Sequence, residues 1–181
     1  MSAPAVPVSG WLGRMVWGRH PRRTLIRALA LGLLAYGVFS GPVRPIRLVG
    51  DSMEPTLRDG ELRWANLWAF KGRDPRPGEI VLVRLHPGGR LLFVKRVLAA
   101  PGERIRFHQG RLMINGAAVE EPYVVHAEPW TTREYLLEPD EFYVCGDNRA
   151  QPMRAHATFI ASRSSIFGAL WSPRGAERSP P

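Results

Sequence analysis

Residues 24–43, TLIRALALGLLAYGVFSGPV, form the most apolar stretch of the chain, and from Ala28 to Phe39 it holds no charge. Such a run must be buried, in lipid or in a core. A helix that crosses a bilayer needs roughly 20 apolar residues. This stretch reaches that length if Arg27 carries its guanidinium back to the headgroups and the helix ends near Pro42. Five arginines, Arg14, Arg19, Arg22, Arg23 and Arg27, precede or open the run with no acidic residue among them. Without them the formal net charge of +9 becomes only mildly basic. Positive charge set beside an apolar segment points to anionic lipid and away from nucleic acid. The expected layout is a basic tail over 1–23 and a transmembrane anchor over 24–43. By the positive-inside rule the N-terminus is cytoplasmic and everything after the anchor extracytoplasmic. Two other readings stay open: a leader cut after a small residue such as Ser40, and a buried core helix.

Beyond the anchor, 17 prolines and 18 glycines are spread along the chain and favour short strands over long helices. EIVLVRL (79–85) and RLLFVKRVLAA (90–100) are strand-like and are joined by the turn HPGG (86–89). ERIRFHQ (103–109) alternates and meets RLMINGAAVEE across Gly110, with a tight-turn signal at Asn115-Gly116. EFYVCGDN (141–148) and SIFGALW (165–171) read as further strands. The expectation is a mainly β domain of antiparallel hairpins over 44–172, with a disordered tail over 173–181. The single cysteine, Cys145, excludes an internal disulfide.

Two places carry chemistry. VGDSMEPTL (49–57) presents Ser52 just after the apolar run, where Gly50 permits an unusual backbone path. Read alone, this is simply a capped turn. In LLFVKRV (91–97), Phe93, Lys95 and Val97 share one face and Arg96 the other, so one positive charge must meet an apolar face. A lysine there either snorkels at a sheet edge or is desolvated, which disfavours its charged form and makes it a base. His86, His108, His126 and His156 follow no metal or nucleophile spacing. No HExxH, Cys/His cluster or phosphate-binding glycine loop is present, so neither metal nor cofactor is expected.

Taken together, GDSMEPTL, RDPRPGEIVLV, FVKRVLAAPGE, INGAAVEEPY and FYVCGDNR resemble, in order and spacing, the boxes of type I signal peptidases. These are membrane-bound serine–lysine endopeptidases, and the resemblance covers roughly residues 24–168. It implies a signal-peptidase-type antiparallel β domain tethered by one N-terminal helix in the plasma membrane. It implies Ser52 as nucleophile and Lys95 as general base, with Gly50, Asp51 and Met53 shaping the substrate and oxyanion site. Gly146, Asp147, Asn148 and Arg149 brace it. The implied partners are preproteins with small residues at positions −1 and −3 from the cut, and a phospholipid membrane. No nucleic acid is implied, and nothing fixes the oligomeric state. The pattern departs after Arg149. AQPMRAH puts Pro152 where a lysine-orienting serine is usual, Arg154 for an aspartate and His156 for an arginine. A weak or silent homologue is one alternative. A self-cleaving serine–lysine repressor is another, although the first 23 residues are too short for a helix-turn-helix.

Overall fold

The computed structural model describes residues 21–84, 91–156 and 159–171. The chain divides into two compact units, residues 1–41 and 42–181. The described part of the first is one helix, α1, Pro21–Ser40. Proline suits a first helical turn, where its missing N–H has no helical partner. Leu25, Ile26, Leu29, Leu31, Leu33 and Leu34 fall around the whole circumference of α1 and are each 61–65% exposed. No described helix is long and apolar enough to cross a membrane. The span expected over 24–43 is thus not shown by this helix. The helix starts at Pro21, taking in Arg22 and Arg23, and stops at Ser40, where the chain turns into a strand. Three arginines in the first two turns confine the uncharged length of the helix to Ala28–Ser40.

The second unit is built of antiparallel strands: β1 Val43–Arg47, β2 Leu62–Asn66, β3 Ile80–Val83, β4 Phe93–Ala99, β5 Arg104–His108, β6 Arg111–Ile114, β7 Ala117–Val119, β8 Tyr135–Leu136, β9 Glu141–Cys145, β10 Ile160–Ser162 and β11 Ile166–Leu170. A seven-stranded sheet runs β1-β2-β11-β3-β4-β9-β10 and a four-stranded sheet runs β7-β6-β5-β8. The mainly β, antiparallel expectation holds.

Alternation explains the core. All four residues of β3 are buried. Val81 and Val83 join a cluster with Phe70, Val97 and Phe142, while Ile80 and Leu82 join another with Leu48, Met53 and Leu57. Successive side chains point to opposite faces, so β3 serves two cores at once. A third cluster, with Leu98, Phe107, Trp130 and Cys145, fills the space against the small sheet. Asn115 and Gly116 have φ of 51° and 84°, the left-handed pair that a two-residue hairpin turn requires. Gln109 and Gly110 repeat this geometry at the β5–β6 junction.

β1, β8 and β10 carry no strand signal in the sequence. β1 includes Pro45, which is tolerated because β1 is an edge strand. The HPGG turn, His86, the 173–181 tail and residues 1–20 of the expected basic tail lie outside the described residues.

Candidate active site

Ser52 lies in the loop between β1 and β2. Gly50, with φ of 97°, opens this loop, and its N–H donates to Asp59 Oδ1 at 2.8 Å. One helical turn follows: Glu54 N–H donates to the Asp51 carbonyl at 3.0 Å and Leu57 N–H to the Met53 carbonyl at 3.0 Å. Met53 and Leu57 are buried and pin the loop to the core, while Ser52 remains half-buried. Beside Ser52 runs an apolar groove of about 500 Å³, with Ile46, Leu48, Met53, Leu82, Phe93 and Val94 among its walls.

Lys95 belongs to β4, which sits between β3 and β9 in the interior of the sheet. That placement removes the edge-strand reading. Both basic residues of the pair are buried, Lys95 at 5% exposure and Arg96 at 0%. Their fates differ. Arg96 donates to both oxygens of Asp147, at 2.8 and 2.6 Å, and to the Gly78 carbonyl at 2.7 Å. Lys95 makes no ion pair among the described residues. Burial pushes its amine below the ordinary lysine range, against the upward pull of Cys145, Asp147 and Asp51. Asp51 is the residue next to Ser52, so the charged end of Lys95 senses the Ser52 loop. The Ser52 hydroxyl and the Lys95 amine are not hydrogen-bonded to each other in this arrangement.

The segment 146–149 ties these parts together. Asn148 N–H donates to the Ser52 carbonyl at 3.1 Å, and its side-chain amide donates to the Asp51 carbonyl at 3.1 Å. Asp147 also accepts from the Thr56 hydroxyl at 2.5 Å, which links the Ser52 loop to Arg96. Arg149 donates to Glu121 at 2.6 and 3.1 Å and to the Gly146 carbonyl at 2.8 Å. Gly146 packs so closely on the loop that a Cβ there would stand 2.2 Å from the Ser52 carbonyl oxygen.

The residues after Arg149 sort unequally. Pro152 and Arg154 are exposed on a short 3-10 turn. His156 is buried, and both burial and the charges of Lys95 and Arg149 push its imidazolium down to about 4. No carboxylate bears on the charged form of His156. His108 and His126 are exposed. Thr56, Glu121 and Cys145 were not singled out as site residues from sequence. Each acts through a partner remote in the chain, so no local pattern announces it. Among the described residues, no cluster of His, Cys, Asp and Glu could hold a metal.

Residues 22–169 match the family model described as signal peptidase, peptidase S26. Signal peptidase IB of Staphylococcus aureus is 34% identical over 144 residues, covering 70% of this chain and 74% of that protein. Signal peptidase I of Leptolyngbya laminosa is 28% identical over 151 residues, covering 79% and 74% respectively. A solved structure of a signal peptidase I from Enterococcus faecalis matches 55% of this chain and 98% of its own, at 20% identity and a TM-score of 0.44.

Proposed function

Because the chain belongs to the signal peptidase family of S26 peptidases, we propose that it is a signal peptidase I, a serine endopeptidase that removes signal peptides from exported preproteins. The observation that carries the mechanism is Lys95. It is a lysine buried in an interior strand, without an ion pair among the described residues, and its ammonium form is disfavoured by burial. A lysine in that state is a base at workable pH.

Neutral Lys95 takes the Ser52 proton as the hydroxyl attacks the scissile carbonyl. The Ser52 N–H is one donor to the developing oxyanion. Protonated Lys95 then gives its proton to the leaving amine, and the amine it regains activates the water that hydrolyses the acyl-enzyme. Gly50, Asp51 and Met53 shape the nucleophile loop. Gly146, Asp147, Asn148 and Arg149 hold it from the other side. The apolar groove beside Ser52 receives the residues before the cut and selects small ones at −1 and −3. Closing that groove on a substrate brings the amine and the hydroxyl into contact, since catalytic hydrogen bonds often tighten only in the complex.

Attachment to the membrane is read from α1. Apolar side chains exposed on all sides of a helix call for a hydrocarbon surrounding. The uncharged stretch rises only about 20 Å at the helical spacing, so the arginine stems supply the remaining apolar length on the cytoplasmic side. The catalytic unit then stands on the opposite, extracytoplasmic side of a plasma membrane, where signal peptides end. Carbonate extraction together with protease protection of oriented vesicles tests this placement, and release of the intact chain by carbonate would remove it.

The activity is tested by incubating detergent-solubilised protein with an Ala-x-Ala preprotein, beside Ser52→Ala and Lys95→Ala. A cut after the small residue by the parent alone supports the reading. No cut by any of the three favours a silent homologue, the reading invited by Pro152 and Arg154.

A further inference from the structure

His156 is a buried imidazole that the mechanism above leaves unused. Its ring meets Trp130 edge-on at 4.8 Å and stacks on Phe159 at 5.9 Å. Nδ1 lies 3.8 Å from Cys145 Sγ, and Nε2 is buried without a hydrogen bond. Cε1 faces Gly146: a Cβ on that glycine would stand 3.4 Å from Cε1 and 2.2 Å from the Ser52 carbonyl oxygen. The imidazole edge and the Ser52 carbonyl therefore meet on the same side of Gly146, the side where a side chain would otherwise stand. From this packing we propose that His156 is a positioning residue of the reaction: held by Trp130 and Phe159, it backs the Ser52 carbonyl across the open face of Gly146, and it offers Lys95 an uncharged neighbour in place of a cation. The proposal rests on the Ser52–Lys95 reading.

The charged and titratable groups around the pair are Asp51 beside the nucleophile, Cys145 on β9, and Asp147 and Arg149 in the segment that follows it. None that bears on His156 is a carboxylate. Burial first, then Lys95 and Arg149, disfavour the imidazolium against an opposing pull from the Asn148 backbone. The ring is therefore neutral wherever the enzyme works. A cation in its place would repel the Lys95 ammonium and extend the neutral amine to lower pH. The mechanical and electrostatic parts of the role are separable by substitution.

The experiment uses the full chain in detergent with a fluorogenic Ala-x-Ala peptide. It reads kcat and KM from about pH 5 to about pH 10, a range spanning the ordinary histidine and near-lysine values. His156→Ala removes the backing of the Ser52 loop and lowers kcat on the order of tenfold to a hundredfold, with KM within about twofold. His156→Phe refills the volume and regains most of that loss. His156→Arg moves the acid limb of the profile to lower pH than His156→Gln. Should the arginine variant fail to fold, His156→Glu moves the limb the other way. Wild-type kcat in His156→Ala, or coincident acid limbs in the charged and glutamine variants, overturns the proposal. Activity remaining in Lys95→Ala sinks the serine–lysine reading instead, so the two failures are told apart.

Discussion

Arg96 grips Asp147 through two hydrogen bonds of 2.8 and 2.6 Å, and neither side chain is exposed to solvent. The pair joins an interior strand to the segment that holds Ser52. A buried ion pair is weak evidence for net stabilisation, but breaking one partner leaves an uncompensated charge that costs about 3–5 kcal/mol. Asp147→Ala should lose about that much in chemical denaturation. It should also lose activity beyond the stability effect, because Thr56 loses its acceptor. Arg96→Met should be similarly costly. Stability within about 1 kcal/mol of the parent in both single variants would show that water replaces the lost partner.

The burial of Lys95 costs stability. Its folded pKa lies below its unfolded one because burial penalises the ammonium. The sign follows from proton linkage. At neutral pH the unfolded chain holds the proton more readily, and this penalty fades only as pH rises through the window between the lowered folded value and the unfolded 10.5. Lys95→Met should therefore abolish cleavage and raise Tm by a few degrees, the common exchange of function for stability. Lys95→Arg should also be inactive, since guanidinium does not deprotonate at workable pH. Cleavage near the parent rate by either variant would remove the lysine-base mechanism.

How much of this was legible in the sequence depends on the range over which each signal acts. The β5–β6 and β6–β7 hairpins are written locally, in alternation and in the turns at Gly110 and Asn115-Gly116. The strand character of β3 and β4 is plain from Val, Leu and Phe. The insertion of β11 between β2 and β3 is a long-range pairing, and no local pattern carries it. At the site, a lysine and an arginine adjacent in one apolar strand announce a buried charge. The sequence does not say that both are buried, nor that Asp147 satisfies only Arg96. His156 reads only as a replacement for an arginine of the family pattern, and its burial does not show until Trp130 and Phe159, 26 and 3 positions away, close around it.

His156 should make the fold acid-sensitive. Its folded pKa of about 4 lies below its ordinary value of 6.5. For a base whose pKa is depressed, the stability is fully present above the unfolded value and is lost as pH falls toward the folded one. The window is thus about pH 6.5 to 4, and the loss is about 3 kcal/mol across it. Unfolding free energies measured over that window should fall for the parent and fall less by this amount for His156→Phe. Parallel curves for the two proteins would mean that the imidazole is charged in the folded state.

Gly146→Ala should act on the site without changing any charge. The added Cβ would stand 2.2 Å from the Ser52 carbonyl oxygen, a backbone atom that cannot swing aside. The loop must move, so cleavage should fall on the order of a hundredfold, as misplacement of a reacting group implies. Asn148→Ala, which removes only the 3.1 Å bond to the Asp51 carbonyl, should cost much less. Equal activity of Gly146→Ala and the parent would show that the contact relaxes without disturbing Ser52.

The aromatic residues after the nucleophile loop divide between surface and core. As one strand, Trp64, Trp68 and Phe70 would share a face, but β2 stops at Asn66, whose side chain accepts the Trp68 N–H at 2.9 Å and turns the chain. Phe70 then enters the core at 6% exposure, while Trp64 and Trp68 stay 49% and 56% exposed. Trp171, 79% exposed, donates its N–H to the Trp64 carbonyl at 3.2 Å, and Lys71 stands 4.0 Å over the Trp68 ring. Exposed indoles with a lysine at hand suit a headgroup interface, where the ring is half in apolar surroundings and the cation meets lipid phosphate. In a chain lacking residues 1–41, replacing Trp64, Trp68 and Trp171 by serine should leave the melting transition in place and weaken flotation with anionic vesicles several-fold, on the scale of losing three interfacial tryptophans. Phe70→Ser should unfold the same chain, because it opens the cluster shared with Val81, Val97 and Phe142. Undiminished flotation of the triple variant would mean that these indoles face water and that membrane contact is made elsewhere.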